Sequence, residues 1–222
     1  MVLVHGMDIQ CHKERGDSLS FYIQASNPKF QESTNPYDES LSDAIESAFP
    51  LNTENAILVW NYISIPLSYK YDISYMIEDI LQLLYELQNK EKGELRINWL
   101  PDTFRCNWLI MWGSENMEIQ SQWECTVGHL ENILNQKSYI SLSKTAFISE
   151  WKRVLGVVIT GLESCGYSEN KVRHMNQLIK QYKSISEEGY LYREGFFARL
   201  CRAMFSGWVA LCHPSFNLHT FR

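Results

Sequence analysis

The chain lacks most short motifs that carry a recognisable chemistry. It has no Gly-rich phosphate loop with a Walker lysine, and no G-x-S-x-G elbow that would expose a catalytic serine. Its six cysteines include no C-x-x-C pair and follow no regular spacing, which is typical of buried thiols in a reducing compartment. The sequence therefore gives no support for nucleotide hydrolysis, serine-hydrolase chemistry or a disulfide framework.

Signals for metal binding and for membrane insertion are also weak. Cys201, Cys212, His213 and His219 lie near the C-terminus, but an adjacent Cys and His rarely bind one metal, so their spacing matches no structural zinc site. The most apolar C-terminal stretch is interrupted by arginines and does not suit a bilayer span. We predict no catalytic residues, no metal site, no cofactor and no membrane span.

The chain does contain enough apolar residues for a stable core. It has 222 residues, of which 45% are hydrophobic and 13% aromatic, which suffices for one large domain without metal or disulfide bonds. A short N-terminal apolar run is broken by His5 and Asp8 and has no basic lead, so it is a poor secretion signal. We expect one cytoplasmic domain over residues 1–222, with a recognisable core at 57–166 and a helical C-terminal extension at 167–222.

Charge is distributed unevenly along the chain. The formal net charge is −6, but residues 1–92 carry six basic and fourteen acidic side chains, whereas residues 93–222 carry fourteen basic and twelve acidic ones. The acidic part would repel nucleic acid and attract a basic partner. We therefore expect no nucleic-acid partner. The alternative interpretation of this asymmetry is that the acidic residues only make the surface soluble and bind no partner.

Hydrophobic periodicity predicts an α+β fold. Within residues 93–124, three segments alternate apolar and polar residues and are separated by turn chemistry, which indicates an antiparallel β-meander with one aromatic face. Residues 73–88 have helical spacing, with Asp72 placed to cap the first turn, so this amphipathic helix is expected to cover that face. One helix capped by Ser143 and another near 171–185 predict a C-terminal helical hairpin.

The segment before the meander is predicted to hold two strands and one short helix. Residues 18–26 alternate weakly, as a short strand does, and residues 41–49 have the apolar spacing of a helix. Residues 56–65, AILVWNYISI, are the second strand candidate, and Pro66 is expected to end this strand.

Acidic and aromatic side chains concentrate on the short helix and at the start of the 73–88 helix. In a protein interface, acids accelerate association with a basic partner and aromatic side chains supply anchors. We predict a partner-binding surface made of Asp38, Glu39, Asp43, Glu46, Tyr69, Tyr71, Asp72, Tyr75, Glu78 and Asp79. Tyr69 and Tyr71 share a face if their segment is extended, and packing of that face on the sheet is the alternative.

Three stretches within residues 57–166 form a distinctive pattern. They are LSYKYDISYMIEDI, the tryptophan-rich INWLPDTFRCNWLIMW and the helical FISEWKRVLGVVITGLESCGY. This pattern resembles a group of small bacterial proteins that are similar to the immunity proteins of polymorphic and contact-dependent toxin systems. The resemblance implies a non-catalytic, cytoplasmic protein of bacterial competition that occludes the active site of one cognate toxin domain. The acidic charge favours a basic nuclease as that toxin.

Two other functions are consistent with the sequence. The acidic residues together with His129 or His174 would suit an enzyme with an unrecognised, metal-assisted hydrolytic site. Helical spacing directs most of these carboxylates outward, however, and this favours a solvated face. The third function is that of a structural or interaction protein whose apolar C-terminal helix, within 195–222, dimerises or touches a membrane. The sequence leaves the oligomeric state open.

Overall fold

The computed structural model describes residues 20–186, except residue 52. Predictions that concern residues 187–222, including the C-terminal cysteines, histidines and apolar helix, lie outside the described residues. The described elements are, in chain order, β1 (Phe21–Gln24), α1 (Leu41–Ala48), β2 (Asn55–Trp60), β3 (Ile63–Ser68), a π-helical turn (Tyr69–Ile73), α2 (Ser74–Asn89), β4 (Gly93–Trp99), β5 (Phe104–Trp112), β6 (Asn116–Thr126), α3 (Glu131–Gln136), β7 (Tyr139–Ser143), α4 (Lys144–Cys165) and α5 (Met175–Ser184).

The strands form two antiparallel sheets. The first has the order β1-β2-β3, and the second is a four-stranded meander with the order β4-β5-β6-β7. Along β5 and β6 buried and outward-facing residues alternate for most of each strand, as the period-two pattern predicted. The α+β prediction is therefore confirmed. Within residues 20–186, no helix is long and apolar enough to span a membrane.

The prediction of a single strand over residues 56–65 is wrong. These residues form the hairpin of β2 and β3, joined by Asn61 and Tyr62, whose φ angles are 45° and 67°. Both residues adopt the left-handed region that a type I′ turn requires, and the sequence signal is hidden because a tyrosine stands where glycine is usual. Pro66 does not end the strand either, since it pairs with Ile57 inside β3. A proline is tolerated there because β3 is an edge strand.

The aromatic face of the meander is covered by the first sheet as well as by helices. Trp60 of β2 lies against Trp108 and Trp123, with ring centroids 5.3 and 5.5 Å apart. Its indole N–H donates to the backbone carbonyl of Lys137 over 2.8 Å. The helix α2, which the sequence assigned to this role, packs beside β4. The sequence predicted strands at 18–26 and 56–65 but did not pair them into a sheet that covers the meander.

The predicted helical hairpin is formed by α4 and α5. The Ser143 hydroxyl accepts the N–H of Ala146 at the start of α4, and Gly166 ends this helix at a φ of 90°, both as predicted. The C-terminal end of α5 lies beside α4. The Lys152 ammonium of α4 donates to the backbone carbonyl of Ile185, which follows α5, over 2.6 Å. The second helix starts at Met175, four residues later than predicted.

Candidate partner-binding surface

Tyr69 belongs to the core and not to a surface. Residues Tyr69–Ile73 form a π-helical turn instead of the extended segment that the sequence suggested, so Tyr69 and Tyr71 do not share a face. The Tyr69 side chain is 0% exposed and stacks on Phe49 with ring centroids 5.0 Å apart. Its hydroxyl accepts the N–H of Ser26 over 3.3 Å. Its assignment to the partner-binding surface is therefore corrected.

Asp72 is also buried, and it does not cap α2 in the predicted way. The cap of the helical turn is Ser68, whose hydroxyl accepts the N–H of Tyr71. The Asp72 carboxylate reaches back to accept the N–H of Ser68 over 2.7 Å and also accepts the hydroxyl of Thr103. The carboxyl is 1% exposed, and this burial raises its pKa. Asp72 thus ties the π-helical turn to the β4–β5 connection and is unavailable to a partner.

Four of the predicted residues form what we call the exposed stripe: Tyr71, Tyr75, Glu78 and Asp79. Tyr71 is 41% exposed and Tyr75 67% exposed, and both carboxylates are exposed as well. Tyr75, Glu78 and Asp79 are three and four residues apart on α2, so they share one side of the helix. Partial burial and the negative charge of Glu78 raise the pKa of Asp79. The stripe combines aromatic surface with negative charge.

Two of the acids around α1 stabilise local structure. Asp38 accepts hydrogen bonds from the hydroxyl of Tyr167 and from the amide of Asn35. Burial, together with this bond to Asp38, raises the pKa of Tyr167 to about 12. Asp43 forms a capping box with Ser40 at the start of α1. Both carboxylates therefore have structural partners, whatever else they bind.

The α1 acids meet at an open cleft of about 780 Å³. Asp38, Asp43 and Glu46 line it together with Lys70, and Tyr37 stands at the cleft with 87% of its side chain exposed. The Lys70 ammonium lies 5.6 Å from the ring centre of Tyr71. Lys70 therefore connects the cleft to the exposed stripe. Sequence reasoning missed both Lys70 and Tyr37, because neither stands in a recognisable pattern.

A loop before α5 lies against both acidic segments. The N–H of Arg173 donates to the carbonyl of Glu39 over 3.0 Å, and His174 Nδ1 lies 3.2 Å from Glu78 Oε1. Glu39, at the entrance to α1, and Glu78, on α2, are thus held by consecutive residues of one loop. Sequence reasoning did not predict this contact, since residues 96 positions apart in the chain form it.

The two histidines proposed for an enzyme stand in different settings. His174 pairs with Glu78, and His129 occupies the turn after β6 with a φ of 56°. Within residues 20–186, no three His, Cys, Asp or Glu side chains are grouped so that they could hold a metal ion. The buried thiol of Cys106 has a pKa raised by desolvation, which makes it a poor nucleophile at neutral pH.

The surface can be interpreted only from its own chemistry. No protein-family model, curated protein or solved structure matches this chain. The resemblance to immunity proteins accordingly stays a prediction from the sequence. The function is therefore inferred from the exposure, the charge and the contacts of the residues at this surface.

Proposed function

We propose that this protein is a cytoplasmic immunity protein that binds one cognate bacterial toxin domain and occludes its active site, and that it is not an enzyme. The observation that carries the proposal is the exposed stripe. Tyr75 exposes 67% of its side chain to solvent, and Glu78 and Asp79 lie one helical turn further along the same side. The same helix buries its opposite side in the core.

This combination suits an interface better than a solvated face alone. Tyrosines provide large and rigid contact surfaces, and they are enriched among the residues that dominate binding energies. Two exposed tyrosines, Tyr71 in the π-helical turn and Tyr75 at the start of α2, therefore give a partner its anchors, and the adjacent carboxylates give it orientation. Tyr37, at the neighbouring cleft, would add a third aromatic contact.

The charge of the surface favours a basic partner. Glu39, Glu46, Glu78 and Asp79 are exposed, and Lys70 and His174 lie among them. A nuclease carries a basic groove for its substrate, so carboxylates at this surface would steer the protein toward that groove. A toxin that is a nuclease therefore fits this surface best.

The proposal is tested by expressing the tagged chain together with the product of the adjacent open reading frame. We expect a stable one-to-one complex, and we expect cells to survive expression of the neighbouring protein only when this chain is present. Absence of a complex, together with absence of toxicity, would contradict the proposal. A toxic neighbour that this chain neither binds nor neutralises would contradict it equally.

A further inference from the structure

The ends of the two sheets differ in how they are protected. The N–H of Ile23 in the edge strand β1 donates to the carboxylate of Glu150 over 2.9 Å. A side chain of α4 therefore already accepts this backbone N–H. The edge strand β3 contains Pro66, which has no N–H to offer. At the start of β7, the backbone carbonyl of Tyr139 accepts the side-chain amide of Asn61 over 2.9 Å. Each of these edges carries a feature that discourages pairing with another strand.

The remaining edge strand, β4, has none of these protections. It spans Gly93–Trp99, contains no proline and keeps a regular register with β5 along its whole length. Apart from this pairing with β5, its backbone makes no hydrogen bond to the part of the chain that the structure describes. An unpaired row of N–H and C=O groups is a template for a further strand.

The side chains of β4 are complementary to a second copy of the same strand. Glu94 and Arg96 point to the solvent side of the sheet, and their charged atoms lie 3.9 Å apart. Their side chains are 57% and 75% exposed, respectively. Leu95, between them, points to the opposite, core-facing side and is half-buried. The strand therefore carries one negative and one positive charge placed symmetrically about an apolar residue.

We propose that β4 pairs antiparallel with β4 of a second copy of this chain, about a two-fold axis at Leu95. Residues 93 to 97 then lie opposite residues 97 to 93 of the second copy. Glu94 of each chain faces Arg96 of the other, and the two leucines meet on the core-facing side. The two sheets join into one continuous sheet, with its apolar face on a single side.

Other registers are less favourable for reasons of charge and packing. An axis at Glu94 would set two glutamates opposite each other, and an axis at Arg96 would set two arginines opposite each other, which is destabilising. A shift of one residue would turn the apolar face of one sheet to the solvent side of the other. Only the axis at Leu95 pairs both charges within the central three residues. This dimer uses none of the residues in the exposed stripe and does not depend on the proposed function.

The test is the oligomeric state of the full chain, measured by sedimentation velocity over a range of concentrations. We expect a concentration-dependent equilibrium between monomer and dimer. Arg96→Glu and Glu94→Arg should each raise the dissociation constant at least about tenfold, because each places two pairs of like charges across the interface. The double variant Glu94→Arg/Arg96→Glu restores both pairs and should restore the dimer.

Glu118→Arg is the matched control, since Glu118 lies exposed on β6, two strands away from the edge. It should leave the dissociation constant unchanged, and circular dichroism should show that all variants stay folded. Amide exchange should slow in residues 93–97 as the protein concentration rises. A wild-type chain that stays monomeric at every concentration would overturn the proposal. A dimer that is insensitive to the single reversals, or is not restored in the double variant, would overturn it as well.

Discussion

Two pairs of a tyrosine and an aspartate lie close together in this chain, and one pair is buried whereas the other is exposed. Tyr69 and Asp72 are almost completely buried, whereas Tyr75 and Asp79, only a few residues later, are exposed. Their residue types are the same, so composition cannot separate the pair that stabilises the fold from the pair available to a partner. The two pairs also differ in backbone geometry, because the first pair lies in a π-helical turn and the second in a regular helix.

The π-helical turn decides the environment of the first pair. Its hydrogen bonds span five residues instead of four, so its side chains do not continue the spacing of α2. Tyr69 consequently faces Phe49, and Asp72 faces the connection between β4 and β5. The regular helix that follows returns to the ordinary spacing and turns Tyr75 to solvent. The π-helical turn thus directs Tyr69 and Asp72 into the core, whereas its own Tyr71 and the outer side of α2 form the exposed stripe.

The largest effect should come from truncating the buried tyrosine. Tyr69→Ala removes a ring that is fully buried and stacked on Phe49, so it should lower the free energy of unfolding by about 3–5 kcal/mol. Tyr75→Ala is the matched variant and should change it by less than about 0.5 kcal/mol. Urea denaturation followed by tryptophan fluorescence measures both. Similar losses in the two variants would remove the distinction between the pairs.

Truncation of the buried carboxylate should have the next largest effect. Asp72→Ala leaves the N–H of Ser68 and the hydroxyl of Thr103 without their acceptor, and the free energy of unfolding should fall by about 1–3 kcal/mol. Asp79→Ala, at an exposed position, is the control and should have little effect. An Asp72→Ala variant as stable as the wild type would show that the buried turn does not need this carboxylate.

The pH dependence of stability gives a sharper test of the same residue. Burial raises the pKa of Asp72, so the folded state holds the proton more tightly than the unfolded chain does. The resulting stabilisation is complete below the unfolded pKa of about 3.9 and is lost as the pH rises through the folded pKa. Asp72→Asn cannot titrate, and its stability relative to the wild type should therefore increase as the pH is raised from acid to neutral. A difference between the two proteins that is independent of pH would contradict this account.

A smaller effect is expected at the cap of the buried turn. The Ser68 hydroxyl accepts the N–H of Tyr71 over 3.3 Å, so Ser68→Ala should cost about 1 kcal/mol of stability. Ser74→Ala is a less suitable control because its hydroxyl also bonds within the turn. Ser141→Ala, on the exposed side of β7, is the better one. Equal stability of Ser68→Ala and Ser141→Ala in urea denaturation would show that the cap contributes nothing.

Sequence reasoning succeeded where local signals decide the structure. The alternation in β5 and β6, the Ser143 cap and the Gly166 stop each lie within a few residues of the element that they define. It failed at Asn61 and Tyr62, where a turn forms without glycine, and at the π-helical turn, where Tyr69 packs on Phe49 from a distant segment. The contact of His174 with Glu78 joins distant segments, so no local pattern could predict it.

The exposed stripe was predicted only in part for the same reason. Periodicity placed Glu78 and Asp79 correctly on the outer side of α2, because this helix is regular and amphipathic. It could not separate Tyr69 from Tyr71, since their exposure depends on a turn whose geometry the sequence does not signal. Residues at regular spacing are therefore the ones whose environment the sequence predicted well.

The most direct test of the proposed function is the association rate of this protein with the proposed toxin partner after charge reversal on the exposed stripe. Glu78 and Asp79 are exposed, so the variant Glu78→Lys/Asp79→Lys should stay folded and should slow association about tenfold or more at low salt, because it removes electrostatic steering. Glu118→Lys is the control and should leave the rate unchanged. An unchanged rate and affinity in the double variant would remove α2 from the interface and contradict the account.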